Sequence, residues 1–440
     1  MFEKYDAYKD SGIQWIGQIP EHWEIEKAKW IFLKADRPTR PNDGIVTCFR
    51  DGEVTLRSNR RTDGFTNALK EHGYQGIRKG DLVIHAMDAF AGAIGVSDSE
   101  GKSTPVYSAC IPRIKNRINV YYYAYYLRNL ALAGFIESLA KGIRERSTDF
   151  RFADFAELLL PFPKLEDQER IVAFLNQKTS EIDQAIAIKE QQIALLNERK
   201  QIVIQKAVTQ GLDPNVTMKD SGVEWIGQIP EHWNTITKLK HIASLKGRQG
   251  WQGLKADEYI DEGPYVVSSA HFDGLDINWD KCPHVSIERY KMDAHIQLNI
   301  GDILLMKDGA KMGKMAYISN LPDLACLNSH LLLIRSLKTQ DEFFFDSKYM
   351  LYFMLSEKFQ DYVQVKGTGT TFMGISQESI GNFPIALPSL EEQFQITSFL
   401  NKRMLELEKG KDLLLTQIEK LKEYKTTLIN DAVTGKIKVA

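Results

Sequence analysis

The chain has 440 residues, with 56 Lys and Arg against 58 Asp and Glu, a formal net charge of −2 and a pI near 6.5. At 43% apolar and 26% charged residues it is composed like a soluble globular protein, which excludes a fibrous or disordered chain, and its charge balance excludes a histone-like polycation. Nucleic-acid binding stays open, because basic patches also occur on neutral chains, and the length sets an expectation of roughly two to four domains.

The opening MFEKYDAYKD is too polar for a secretory signal, and no run approaches the roughly 18 apolar residues of a membrane span, so a cytoplasmic protein is expected. Cys48, Cys110, Cys282 and Cys326 form no CxxC pair and no Cys/His cluster of zinc spacing; they read as free thiols, and no metal or cofactor site is expected. The first distinctive element is KDSGIQWIGQIPEHW, Lys9 to Trp23. It returns 210 residues later as KDSGVEWIGQIPEHW, Lys219 to Trp233, with two positions changed. Trp15, Trp23, Trp225 and Trp233 read as packing residues, since Trp and Pro in a short motif usually pack.

A variable stretch follows. FRDGEVTLRSNRR carries Arg50, Arg57, Arg60 and Arg61 among the acids Asp51 and Glu53, and KGIRERSTDFR carries Lys141, Arg144 and Arg146. From Pro163 a heptad seam sets in, through Leu175, Thr179, Ile182, Ile186, Lys189, Ile193, Leu196, Lys200, Val203 and Ala207. The alternating spacing of four and three predicts a long helix with a coiled-coil face, stopped at Gly211.

After the repeated motif comes a second variable stretch. SLKGRQGWQG carries Lys246, Arg248, Gln249 and Trp251; VVSSAHFDG carries Ser268, Ser269 and His271. MKDGAKMGK carries Lys307 and Lys311, and KGTGTT carries Thr368, Thr370 and Thr371. Arg and Lys reach phosphates and guanine edges, Gln, Ser and Thr read base edges, and Gly lets backbone amides approach phosphate. RKGDLVIHAMD near Gly80 resembles NIGDILLMKDG near Gly301, so both variable stretches read as one fold with diverged loops. A second seam closes the chain, through Leu400, Met404, Leu407, Lys411, Leu414, Ile418, Leu421, Lys425, Leu428 and Ala432, opened by the capping-box pattern Ser389-Leu390-Glu391-Glu392 and stopped at Gly435. Each long helix is expected to run about 65 Å at 1.5 Å per residue, and the two to pair antiparallel as a spacer. The seam lysines either snorkel or set register.

Catalytic signatures are missing from the sequence. There is no Pro-Pro dipeptide for an adenine-methyltransferase motif. GAKMGKM, Gly309 to Met315, departs from a P-loop in spacing and in its last residue, and no HExxH or nucleophile elbow occurs. His85 and His330 read as ordinary, partly buried residues.

The order WIGQIPEHW, variable stretch, Pro-x-Leu-Glu-x-Gln (Pro163 to Gln168, Pro388 to Gln393) and long helix, twice over, resembles the specificity subunit of type I restriction-modification systems across essentially the whole chain. The resemblance implies an α+β, pseudo-two-fold tandem repeat. A first target recognition domain would span 1–160, a central spacer helix 161–215, a second recognition domain 216–385 and a C-terminal spacer helix 386–440. The spacer helices would pack through Ile182, Ile186, Ile193, Leu196 and Val203 against Leu407, Leu414, Ile418, Leu421 and Leu428. It further implies a non-catalytic subunit that reads one half of a split double-stranded DNA target with each domain. Its partners would be two modification (methyltransferase) subunits, which hold S-adenosylmethionine, and two restriction subunits, which hold ATP and magnesium. The alternatives are a coiled-coil scaffold for protein partners and an orphan specificity subunit.

Overall fold

The computed structural model describes residues 2–60, 72–139, 149–223, 226–233, 236–248, 254–292, 294–339, 342–369 and 373–439. The α+β chain divides into two compact units, Met1–Glu190 with Leu415–Ala440, and Gln191–Leu414. Each unit contains one sheet-rich head and part of both long helices. No described helix is long and apolar enough to cross a membrane.

The repeated motif folds the same way in both units. Tyr8–Asp10 pairs antiparallel with Gln18–Pro20, and Met218–Asp220 with Gln228–Pro230, in the same register. The head proper is a four-stranded antiparallel sheet. In the first unit its order is Phe32–Lys34, Tyr107–Pro112, Leu82–His85, Ile94–Val96; in the second it is Ala243–Gly247, Leu331–Ser336, Ile303–Met306, Met315–Tyr317. The two GD segments noticed in the sequence lead into the third strand of each. Gly80 and Gly301 take φ of 88° and 93°, a left-handed turn that suits glycine. The next residues, Asp81 and Asp302, are buried and accept the N–H of Arg78 (2.7 Å) and Asn299 (2.6 Å) across that turn. Arg37, in the segment after Phe32–Lys34, and Arg335, in the strand Leu331–Ser336, each supply the countercharge at 2.6 Å.

The heads diverge beside this shared sheet. The first adds two-stranded pairs, Val46–Cys48 with Val54–Leu56 and Gln75–Ile77 with Gly101–Ser103. The second adds a three-stranded mixed sheet of His284–Val285, Tyr259–Val267 and Ala325–Leu327.

The long helices are Leu165–Gln210 and Leu390–Val433, of 46 and 44 residues. Every seam residue is buried or half-buried, whereas Ile188, Leu195 and Leu413 beside it are 56%, 63% and 60% exposed. The seam lysines set register. In the first unit Lys189 donates to Gln417 (2.6 Å) and Lys425 to Asp183 (2.7 Å). In the second, Lys200 donates to Glu408 (2.7 Å), which Lys411 also reaches (3.0 Å). The partners of the first unit run in opposite senses, as do Lys200 with Glu408 and Leu196 with Gly410 in the second, so the pairing is antiparallel in each unit. The Glu408 carboxyl is held below its usual range, first by Lys200 and then by Lys411.

Both helices stop where expected, with Gly211 and Gly435 at φ 74°. A side chain at Gly435 would stand 2.6 Å from Pro20 and 3.0 Å from Trp23, so the repeated motif packs directly on the helix stop. Trp23 and Trp233 are accordingly buried, in keeping with a packing role; Trp15 lies 4.4 Å from Phe135, and Trp225 is outside the described residues.

Only half of the expected capping box forms. Ser389 accepts the N–H of Glu392 (3.3 Å), but the Glu392 side chain turns to the repeated motif, meeting His232 Nε2 (2.9 Å) and Trp233 Nε1 (3.0 Å). In the first unit Asp167 occupies this place. It reaches His22 (2.8 Å), but it is one methylene shorter, and the buried Trp23 Nε1 has no acceptor. Asp167→Glu is therefore expected to stabilise the protein by about 1 kcal/mol, and Glu392→Asp to cost about 1–2 kcal/mol. Denaturant unfolding of both variants checks this; no gain in the first with no loss in the second would refute it.

Candidate nucleic-acid interface

The strand registers gather several loops at one pole of each head. In the second head Gly247 faces Leu332 and Met306 faces Leu331, so the ends of two strands and the start of a third lie together. Asn328 N bonds Val267 O (2.9 Å), which brings the end of Tyr259–Val267 to the same place. The loop after Met306 is then laced to a second loop: Gly309 N to Met373 O (2.8 Å), Ile375 N to Lys307 O (2.8 Å), and Thr368 with Gly374 in both directions (2.9 Å). Lys246, Lys307, Lys311, Thr368, Ser268 and His271 all stand on these segments. Lys307 Nζ lies against Gly247, 3.7 Å from where a Cβ would stand. No described carboxylate forms an ion pair with Lys246, Lys307 or Lys311.

Arg248 differs from the expectation of a base-reading side chain. It is 7% exposed and its Nη2 donates to Leu327 O (3.3 Å), which places it beneath the pole as a support for the strand end. Its burial follows from position, since it directly follows the strand Ala243–Gly247 and turns onto the neighbouring sheet. Ser269 is half-exposed on the short turn between Ser268 and Phe272.

In the first head the corresponding pole is formed where Tyr107 faces His85. The turn between Val46–Cys48 and Val54–Leu56 meets the loop after His85, and Arg50 bonds Asp88 across them (2.8 Å). Arg60 pairs with Asp51 (2.7 Å) and Glu53 (3.2 Å) and lies 4.1 Å over the Phe49 ring. Arg57 Nε donates to Thr47 (3.3 Å). The described arginines of this pole that face carboxylates are thus already paired, unlike the lysines of the second. Arg61, Lys141, Arg144, Arg146, Gln249, Trp251, Thr370 and Thr371 lie outside the described residues.

Several residues escaped the sequence reading. Arg128, from the helix Val120–Leu132, donates to Gly92 O (3.2 Å) and Arg50 O (3.3 Å), bracing the turn that carries Arg50; burial lowers its pKa. His330 is not an ordinary partly buried residue. Its side chain is 54% exposed on the pole, with Nδ1 2.7 Å from Asp308. His85 is indeed mostly packed, against Tyr107.

Each pole also holds a histidine whose Nδ1 accepts a backbone N–H. His85 Nδ1 accepts Asp88 N (3.0 Å), and His271 Nδ1 accepts Ser268 N (3.1 Å), which leaves the proton of each neutral ring on Nε2. Burial lowers both pKa values, so neither ring is a phosphate-binding cation at neutral pH.

A family model described as the type I restriction modification DNA specificity domain matches residues 230–417. The chain is 26% identical over 431 residues to the type I restriction enzyme MjaVIII specificity subunit of Methanocaldococcus jannaschii, covering 96% of this chain and 94% of that one. Among solved structures, a chain described under the complex assembly and conformational transition of the type I R-M system aligns with a TM-score of 0.69 at 16% identity, covering 94% of this chain and 98% of that one. The HsdS subunit of Thermoanaerobacter tengcongensis aligns with a TM-score of 0.53 at 16% identity, covering 95% and 98%.

Two outcomes are expected. Lys246→Ala combined with Lys307→Ala lowers the slope of log affinity for DNA against log salt by about two, and an unchanged slope would remove both from the phosphate contacts. Stability falls as pH drops below about 6.5, because the unfolded chain takes up protons that His85 and His271 refuse while folded. Replacing both histidines with Gln flattens that limb of the stability profile; an unchanged limb would show that other groups produce it.

Proposed function

We propose that this chain, a member of the type I restriction-modification specificity-subunit family, reads a bipartite, asymmetric double-stranded DNA target with one half-site per head. The observation that carries the reading is the duplication itself. The four-stranded sheet, the repeated motif and the helix mounts agree between units, while the poles differ in loops, charge pairing and side chains. A shared frame with unlike poles suits a protein that holds two different readers in one way.

On this reading, base choice comes from the pole loops and phosphate contact from the lysines and arginines around them. The long helices set the unread gap. A helix of about 65 Å is as long as roughly 19 base pairs of DNA at 3.4 Å each, enough for a split target within two turns. The subunit supplies sequence choice and tethers partners that supply chemistry: modification subunits with S-adenosylmethionine and restriction subunits with ATP and magnesium.

The test is selection from a random duplex library by the full chain assembled with its methyltransferase partner. A split, asymmetric sequence should be enriched; no enrichment would end the reading. Deleting one heptad, Ile186 to Gln192, should alter the accepted gap or break assembly while leaving both half-sites unchanged. A changed half-site would overturn the spacer role.

A further inference from the structure

Each head is fastened to the long helices by the same set of side-chain hydrogen bonds. In the first unit the head helix Val120–Leu132 begins at its cap Asn119, whose N–H is accepted by Gln168 Oε1 (2.7 Å). Three residues on, Tyr122 OH donates to Val433 O (2.8 Å); three further, Tyr125 OH donates to Asn176 Oδ1 (2.9 Å). In the second unit the head helix Ser347–Leu355 begins at its cap Asp346, whose N–H is accepted by Gln393 Oε1 (2.8 Å). Tyr349 OH donates to Val208 O (3.1 Å) and Tyr352 OH to Asn401 Oδ1 (2.8 Å). Successive steps of three place the fastening residues on one face of the head helix.

The two glutamines complete the attachment. Both are fully or almost fully buried, and Nε2 of each donates to the proline carbonyl that opens the long helix, Pro163 O at 2.8 Å and Pro388 O at 3.0 Å. The tyrosines bond carbonyls in the last turn of the other long helix, where backbone acceptors lack intrahelical partners. Burial pushes the phenol pKa values of Tyr122 and Tyr349 far up, so both hydroxyls stay donors at any working pH.

We propose that Gln168, Tyr122 and Tyr125, and their counterparts Gln393, Tyr349 and Tyr352, are positioning residues for target reading. They fix the angle of each head on its helices and so determine how strictly the gap between half-sites is measured. None of them lies in a pole loop. The proposal rests on the reading of the chain as a split-target DNA reader. Apolar contact alone would hold a head on the helices, but it is non-directional. The hydrogen bonds, one onto a helix start, one about three turns further along the same helix and one onto the other helix end, define an orientation.

The experiment uses the full chain assembled with its methyltransferase subunits and a duplex library varied in sequence and gap length. The variants are Tyr122→Phe with Tyr125→Phe, Tyr349→Phe with Tyr352→Phe, and the milder Tyr125→Phe alone, should a double variant fold poorly. Tyr126→Phe, which removes a hydroxyl from the same helix and the same buried core, is the control. The fastening variants should select the same half-site bases. Their preference for the correct gap over a gap one base pair off should fall about fivefold for each hydrogen bond removed, and Tyr126→Phe should leave it unchanged. Unchanged gap preference in the fastening variants, equal loosening by Tyr126→Phe, or altered half-site bases would each overturn the proposal. Failure of the underlying reading shows separately, as absence of any split sequence in selection by the parent complex.

Discussion

A buried amide must find a partner for its oxygen and for its nitrogen, and Gln168 and Gln393 find theirs on two different elements. One end of each side chain holds the N-terminus of a head helix, the other the proline carbonyl that starts a long helix. An aliphatic residue there would leave a buried N–H and a buried carbonyl unmet, at about 1–3 kcal/mol each. The junction thereby becomes directional. The repeated motif packs nearby, with its Trp and Pro against the glycine that ends a long helix and its His against the acid just before the glutamine. The frame of each unit is organised around this joint.

The poles obey a looser rule. The shared sheet only has to deliver strand ends to one place, and what stands there is free to differ. In the first head Arg50 and Arg60 are neutralised by Asp88, Asp51 and Glu53; in the second, no described carboxylate pairs with Lys246, Lys307 or Lys311. A surface ion pair is worth at most about 1 kcal/mol, so the pairing of the arginines orients them without locking them in place.

The frame was largely legible in the sequence because its signals are local or repeated. The heptad seam, the stops at Gly211 and Gly435 and the two near-identical copies of the motif need no knowledge of distant contacts. Fastening through Tyr122 and Tyr349 was hidden. Both tyrosines sit in apolar runs within the variable stretches, where a hydroxyl reads as one more core aromatic, and the two runs are offset by two residues from the repeat of the long helices. Glu392 illustrates a different limit. Its position fits a capping box, yet a stronger pair of partners, His232 and Trp233, arrives from far away in the chain. At the poles, charge alone could not show that the Arg248 guanidinium lies buried against the Leu327 carbonyl, nor composition that His330 is exposed beside Asp308.

The lysines in the seam have one more consequence. At the observed alignment of the two helices each ammonium has a partner: Lys200 has Glu408, Lys425 has Asp183 and Lys189 has Gln417. Sliding one helix by a heptad would preserve most leucine and isoleucine contacts but part all three lysines from their partners and leave ammonium groups half-covered by hydrocarbon. The apolar seam alone would tolerate several alignments; the lysine partners favour the observed one. Register in the seam is therefore kept by what a wrong alignment forfeits, much as a key is defined by the cuts that stop it turning in other locks.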